Sequence, residues 1–375
     1  MKNDKISSFQ LAVIGLLMST ALFEGVASVF IIASSQQNSV ITASISLIIG
    51  LIPLFLIIYI INFQPEKDII DKICYLFGKT LGSIINFILS LCFLAFLTIT
   101  LWNLVNFAEI KYLAETPPIF IGIMFLIPVI YTSIKGIEAI ARSSEILLYI
   151  FLFFHIFANT SLLGYIELNN LLPVLEKGIT PILKSSIHFL VYTIPPFLLL
   201  TIVPKNMITN NQKLTRNIVI GYLVAMIVMI VALFTILTTV GPYLAVLYRF
   251  PSYYVMKKIQ LSGFFENLEN ILSIFWIINM YILICMSTYY ISKYINKFFK
   301  KQKNNYNSII IIIICVIALY IKGTIFKSSV IGIYIAQNIF PFIIGLPLFI
   351  IILAICLKIF YDKILTKIQK NSNYN

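Results

Sequence analysis

Few polar side chains interrupt the long apolar runs of this chain, and those few are where chemistry is possible. Glu24 stands in TALFEGVAS, deep within an uncharged stretch. A carboxylate at the centre of a membrane helix costs about 2.5–3.5 kcal/mol on insertion scales, so it faces a cavity or a partner. A protonated or paired structural acid is the plainer alternative. Gly25 beside it permits a break in the helix. The second interruption is Pro195–Pro196, near the middle of SSIHFLVYTIPPFLLLTIVP, Ser185 to Pro204. The two prolines lack the N–H groups that would meet the carbonyls of Val191 and Tyr192 in a helix. In hydrocarbon an unmet carbonyl costs several kcal/mol, so protein, water or a ligand must answer it. Two readings follow: a kink packed against a neighbouring helix, or a binding site built from Val191, Tyr192, Thr193, Pro195, Pro196 and Phe197.

Other polar groups rank around these. Trp102, Asn103 and Asn106 share one run, with the two asparagines one turn apart on one face. Asn279, Tyr281, Cys285 and Ser287 share another. Interhelical hydrogen bonding is the commoner role for such residues, and ligand contact the rarer one. His155 and His188 are isolated and read as hydrogen-bonded core or interface residues. The five cysteines are scattered without a CxxC pair, so neither a disulfide frame nor a zinc site is indicated. Nothing matches a nucleophile, base and orienter set, a metal set or a phosphate loop, which disfavours an enzyme and implies no cofactor.

The elements that must position these residues are membrane helices. Of 375 residues, 60% are hydrophobic and 11% charged, and the mean hydropathy is +0.99; no soluble domain has that balance. Apolar runs fall at about 8–34, 39–61, 81–106, 117–133, 146–164, 185–204, 217–240, 270–292, 306–321 and 334–357, which predicts ten spans in one transmembrane domain. The first run, at 27 residues, is too long for a signal-peptide core and reads as a retained span. With the N-terminus inside, 19 of the 27 Lys and Arg lie on the inner side, as the positive-inside rule requires. That distribution accounts for the net charge of +13 without nucleic acid. It also places both termini in the cytoplasm, including a basic tail at 358–375. The densest basic run, Lys293 to Lys303, reads as an orientation signal in contact with anionic lipid. Between spans four and five, IKGIEAIARSSEILL reads as a short cytoplasmic turn with Glu138 and Arg142 paired at i,i+4. The segment from Arg249 to Glu269 reads as an interfacial cap over the outer vestibule.

Spans one and six, both interrupted, open two sets of five, 8–164 and 185–357. Because five is odd, the second set enters from the opposite side. This is the pattern of an all-α, five-plus-five inverted repeat whose broken helices meet at a central site.

KISSFQL at the start, AETPP at Ala114 to Pro118, KGIEAIARSSEIL, NLLPVLEKGITPILK at Asn170 to Lys184 and RFPSYYVMKKI, in this order, resemble the endospore germination permease family. Its members are the B subunits of spore germinant receptors, within the amino acid, polyamine and organocation transporter superfamily. The resemblance implies an amino acid permease or leucine-transporter-type fold in the spore inner membrane. It also implies a small germinant, often an amino acid, and partnership with an A subunit and a lipoprotein C subunit. This chain departs from the family where Phe197 and Leu198 replace a Gly-Glu pair after the sixth-helix proline. Its first helix lacks the usual Gly-rich break with a following Pro, and Asn267 replaces a common Arg.

Two functions are expected from different classes. A sensor would hold a zwitterion with its ammonium at the Val191 and Tyr192 carbonyls or Glu24, and its carboxylate at half-helix starts near Gly25 and Phe197. A permease would move an amino acid or amine with proton coupling through Glu24. A third reading, a conduit for water or ions, has no specific residue behind it.

Overall fold

In the computed structural model, the structure describes residues 5–23, 27–259, 268–299, six positions between 309 and 317, and 344–372. The chain begins with a two-residue strand β1 (Ile6–Ser7), paired in parallel with β2 (Ile208–Thr209). Helix α1 (Ser8–Leu22) then starts on a capping box: Ser7 Oγ accepts from the Gln10 N–H at 3.0 Å, and Gln10 Oε1 accepts from the Ser7 N–H at 2.9 Å. Beyond its first turn α1 is buried on every side, as a helix apolar all round must be at the centre of a bundle.

Next come α2 (Ser28–Ser35), α3 (Ser39–Asn62), α4 (Ile69–Lys111), α5 (Pro118–Lys135), α6 (Ile137–Ser161), α7 (Thr180–Thr193) and α8 (Pro195–Leu198), which runs into a tight turn of helix at Leu199–Ile202. After these come α9 (Leu214–Leu247), α10 (Pro251–Met256), α11 (Leu268–Phe298) and α12 (Leu346–Ser372). Six stretches among the described residues are long and apolar enough to cross a membrane: Ser28–Asn62, Ile69–Lys111, Pro118–Lys135, Ile137–Ser161, Thr180–Ile202 and Asn211–Leu247. The most apolar 18 residues within Thr180–Ile202 are 83% buried, against at most 50% for the corresponding part of the others, which puts this stretch beside α1 at the core. The chain is an all-α integral membrane protein.

Hydrogen bonds between chain-distant loops sort the helix ends onto two faces. On the face where the chain starts, here called proximal, Gln10 meets Glu145 at 2.8 Å, Asn206 N–H meets Pro65 O at 3.0 Å and Lys297 meets Asp68. On the distal face Gln37 donates to Pro173 O at 2.7 Å and Glu167 N–H to Thr238 O at 3.0 Å. The crossing made by α1 and α2 therefore runs opposite to that made by α7 and α8. The inversion extends to the connections. Gly78, at φ 78°, splits a short proximal helix from the rest of α4, and Gly241, at φ 76°, breaks α9 where the chain turns toward α10 on the distal face. Glycine takes both angles without steric cost.

Three expectations need amendment. The turn between spans four and five is Gly136 alone, at φ 92°; residues from Ile137 onward are already helix, with the Glu138–Arg142 pair in place at 2.5 Å. The pair is exposed and contributes little. The last helix continues past residue 357 to Ser372, so most of the basic tail is helical. Lys293 and Lys297 lie against Asp68 rather than being given over to lipid, because the kinked start of α4 brings that acid beneath α11. Most of the ninth expected span, the start of the tenth, and Asn267 lie outside the described residues.

Candidate functional site

The first crossing, α1 and α2, lies beside the proline-interrupted crossing, α7 and α8. Phe23, just past α1, packs on Phe189 of α7 with ring centroids 5.6 Å apart, and Phe30 of α2 packs near Tyr192 at 6.5 Å. On the distal side of this junction the Ser35 and Ser185 hydroxyls are 3.2 Å apart, and Ser185 also donates to Ile31 O at 3.2 Å. Helix α1 ends at Leu22 and α2 begins at Ser28, with helical backbone at Phe23 and Ala27; Glu24 and Gly25, where the sequence predicts a break, lie outside the described residues.

At the second break the helical ladder reaches Ile194, whose N–H donates to Leu190 O at 3.0 Å. Pro195 and Pro196 supply no donor, and the next N–H, that of Phe197, turns back to Ile194 O at 2.9 Å. The carbonyls of Val191 and Tyr192 thus lose their helical donors, as the sequence predicts. The Phe197 N–H is already spent, however, so this half-helix start offers a carboxylate less than expected. Thr193 Oγ1 is likewise committed to Phe189 O at 2.9 Å. Backbone dihedrals at Ile194 stay helical, so the interruption is one of hydrogen bonding more than of direction.

Neighbouring helices close on the same point. Phe197 fits against Gly15, where any side chain would collide with its ring, and its edge meets Tyr222 at 5.9 Å. Gly345, just before α12, lies directly against Val191, with no room for a Cβ. From α11, the Trp276 indole N–H donates to Ala21 O at 3.3 Å, near the end of α1. One turn further along α11, Asn279 is fully buried, and neither its amide nitrogen nor its oxygen has a hydrogen-bond partner. The Ser28 hydroxyl at the start of α2 is buried and unpartnered too. Buried polar groups are nearly always satisfied, which marks this amide as a candidate contact for a ligand or a water.

The asparagines of α4 go elsewhere. Asn103 Nδ2 bonds Ile99 O in its own helix at 3.0 Å. Asn106, in the amide orientation its surroundings assign, accepts from both terminal nitrogens of Arg249, Nη1 at 3.1 Å. The same guanidinium lies 5.1 Å from the centroid of the Trp102 ring and 5.7 Å from that of Phe250. Burial lowers the Arg249 pKa and the Glu109 carboxylate opposes that shift. Trp102 and Asn106 thus form a distal clamp with the chain leading into α10, away from the α1–α7 junction.

Residues 5–327 match the model of the spore germination protein (spore permease) family. The chain belongs to that family. It is 26% identical over 286 residues to the putative spore germination protein YfkT of Bacillus subtilis, covering 76% of this chain and 78% of the relative. To spore germination protein XB of Bacillus anthracis it is 22% identical over 318 residues, covering 84% and 88%. In three dimensions it is similar to a manganese transporter mutant of Eremococcus coleocola, with a TM-score of 0.59 at 14% identity over 93% of this chain and 77% of that one. It is also similar to MhsT in complex with L-phenylalanine, with a TM-score of 0.51 at 15% identity over 91% and 87%. These likenesses establish the leucine-transporter-type fold. The family is one of membrane permeases and not of enzymes.

In this spore permease the sequence did not single out a proximal cluster. Asp68, 3% exposed, caps α4 through the Asp71 N–H at 3.1 Å and accepts from Lys297 at 2.6 and 2.7 Å; Lys293 stands 3.2 Å away. Lys293 also donates to Ile202 O at 3.0 Å, at the end of the second broken crossing. Lys297 reaches Asp71 as well, at 2.6 Å. Burial pushes the Asp68 carboxyl up, but the two lysines and its hydrogen bonds outweigh that and hold it below its ordinary value. The signal available in the sequence was an Asp in a loop and two lysines at i,i+4; nothing local says they meet. Among the described residues no group of three His, Cys, Asp or Glu side chains is placed to hold a metal.

Proposed function

We propose that this germination permease is the germinant-sensing membrane subunit of a spore germinant receptor. It binds a small zwitterion, an amino acid by class, where the two broken crossings meet. The observation that carries the reading is Asn279: a fully buried amide, free at both ends, one turn from the Trp276–Ala21 bond beside the junction. An amide offers one acceptor and two donors, which suits a molecule carrying both an ammonium and a carboxylate. The carbonyls of Val191 and Tyr192 and the Glu24 carboxylate supply further acceptors for the ammonium. Binding there favours a closed arrangement of the two crossings, and the output is bounded by the ligand's differential affinity, typically about 1–3 kcal/mol.

In this reading the proximal face is cytoplasmic, the membrane is the spore inner membrane, and the change passes to an A subunit and a lipoprotein C subunit. Spores carrying Asn279→Ala, Glu24→Ala or Pro195→Ala test it. The expected outcome is a germinant dose response moved to higher concentration at normal protein level; an unmoved response in all three refutes the site. Transporters of the same fold support a second reading, an autonomous permease for an amino acid or amine. Vesicles containing this chain alone separate the two, since a sensor binds labelled germinant without sustained accumulation.

A further inference from the structure

The stretch NLLPVLEKGITPILK, to which the germinant reading gives no role, begins in the distal connection between α6 and α7, residues 162–179, and runs into α7. Hydrogen bonds to α9 and to the corner between α2 and α3 pin this connection. The Glu167 N–H and Asn170 Nδ2 both donate to Thr238 O, at 3.0 and 3.1 Å, Gln37 Nε2 donates to Pro173 O at 2.7 Å, and the Leu175 N–H donates to Asn38 Oδ1 at 3.1 Å. The N–H groups of Asn170, Leu172 and Gly178 are met within the loop itself. Leu175 is held at φ 60°, in the left-handed region that a residue with a side chain disfavours. The loop so fixed turns carbon outward: Leu168, Leu172, Val174, Leu175 and Ile179 are each at least 45% exposed. An apolar surface of this extent marks a contact with something other than water.

The flanking helices say what that is. Ile179, Leu183 and Ile187, four residues apart, share the exposed side at the start of α7, and Phe153 and Ile156 of α6 lead in the same way toward the exposed Leu163. On membrane-crossing helices such rows face acyl chains, and both rows run into the loop. From a pinned apolar loop that joins two lipid-facing rows, we infer a membrane anchor: residues 163–179 sit in the headgroup and upper acyl region of the distal leaflet. Irregular backbone facing lipid goes no deeper, because its polar groups would be unmet in hydrocarbon. Tyr165 suits the headgroup level, where the exposed Glu167 and Glu176 keep their water. Because Gln37 and Asn38 follow α2, the anchor ties the distal end of the first crossing to the membrane surface. The inference goes beyond the germinant reading and does not depend on it.

The test uses the full chain in lipid nanodiscs, one copy to a disc, with Trp102→Phe and Trp276→Phe so that a tryptophan introduced by Leu172→Trp reports alone. Phosphatidylcholine brominated near the carbonyl end of its chains should quench this tryptophan more than lipid brominated near the methyl end, and acrylamide should quench it less than free tryptophan. Phe153→Trp in the same background, on the exposed row of α6, is the control that bromine reaches the protein. Should that background not fold, a nitroxide on Leu172→Cys, with Cys74→Ser, reads the same depth from its exposure to oxygen and to a water-soluble nickel chelate. Full acrylamide quenching without bromine quenching overturns the anchor and gives the loop to water. Quenching by neither overturns it in favour of a protein cover, and stronger quenching by the deep bromines overturns the interfacial depth. No germination is measured, so failure here leaves the germinant reading untouched.

Discussion

Asp68 and Lys297, 229 residues apart in sequence, form a two-oxygen ion pair at 2.6 and 2.7 Å beneath the proximal end of the bundle. One comes from the N-terminal half of the chain and the other from the C-terminal half, and Lys293 extends the cluster to Ile202 at the end of the proline-interrupted crossing. The cluster therefore fastens the proximal end of the site's scaffold.

Lys297→Met leaves a buried carboxylate with Lys293 as its remaining partner. Breaking a buried pair costs about 3–5 kcal/mol; with Lys293 still present we expect about 2 kcal/mol. Maleimide labelling of the half-buried Cys74, whose thiol accepts from Asn86 at 3.4 Å, should become faster as the cluster loosens. An unchanged labelling rate would count against a fastening role.

The pH dependence follows from the depressed Asp68 pKa. Because the folded carboxyl titrates below its ordinary value of 3.8, its stabilisation is complete above that value and is lost as pH falls through the lower, folded one. The gap in melting temperature between the native chain and Asp68→Asn should therefore be constant from neutral pH down to the ordinary value and close only in stronger acid.

Arg249→Lys keeps the charge but not the planar fork that meets Asn106 and covers Trp102. In a Trp276→Phe background, acrylamide quenching of Trp102 should increase as the distal clamp weakens, by an energy of about 1 kcal/mol.

Asn279→Leu removes a buried amide whose nitrogen and oxygen both lack a hydrogen-bond partner. Relieving an unsatisfied buried group is worth about 1–3 kcal/mol. Thermal unfolding of the purified chain should therefore move upward while the germinant response is lost. A variant both less stable and unresponsive would point to a packing role instead.

Replacing Pro195 and Pro196 together by Ala returns two N–H groups to the carbonyls of Val191 and Tyr192. A continuous helix should then cross the site, with higher stability and a germination response reduced at least about tenfold, which corresponds to about 1.4 kcal/mol of lost coupling. Dose response in spores and melting of the purified chain check the two halves.

The break points were legible because they are covalent: proline has no amide proton wherever it stands, and the ladder fails at Pro195 and Pro196 as the sequence requires. Asn279 was legible as a polar group in an apolar run, but not that both its amide ends are free. The asparagines of α4 were less readable. Asn103 and Asn106 share a face by helical period, yet one bonds its own helix and the other takes Arg249. His155 sits in an apolar run like any core histidine, and only the surrounding helices leave its Nε2 beside a cavity.

By itself the sequence determined that the chain lives in a membrane, roughly where most of its crossings lie and where the proline pair interrupts one of them. Hydropathy, charge asymmetry and missing amide protons are properties of neighbouring residues, independent of how the helices pack. Only the tertiary structure decided which polar groups meet: Asp68 with Lys297, Arg249 with Asn106, Trp276 with Ala21. Those pairs depend on how rigid helices are turned and stacked, and a helix's rotation about its axis is set by packing against its neighbours across hundreds of residues, not by its own composition.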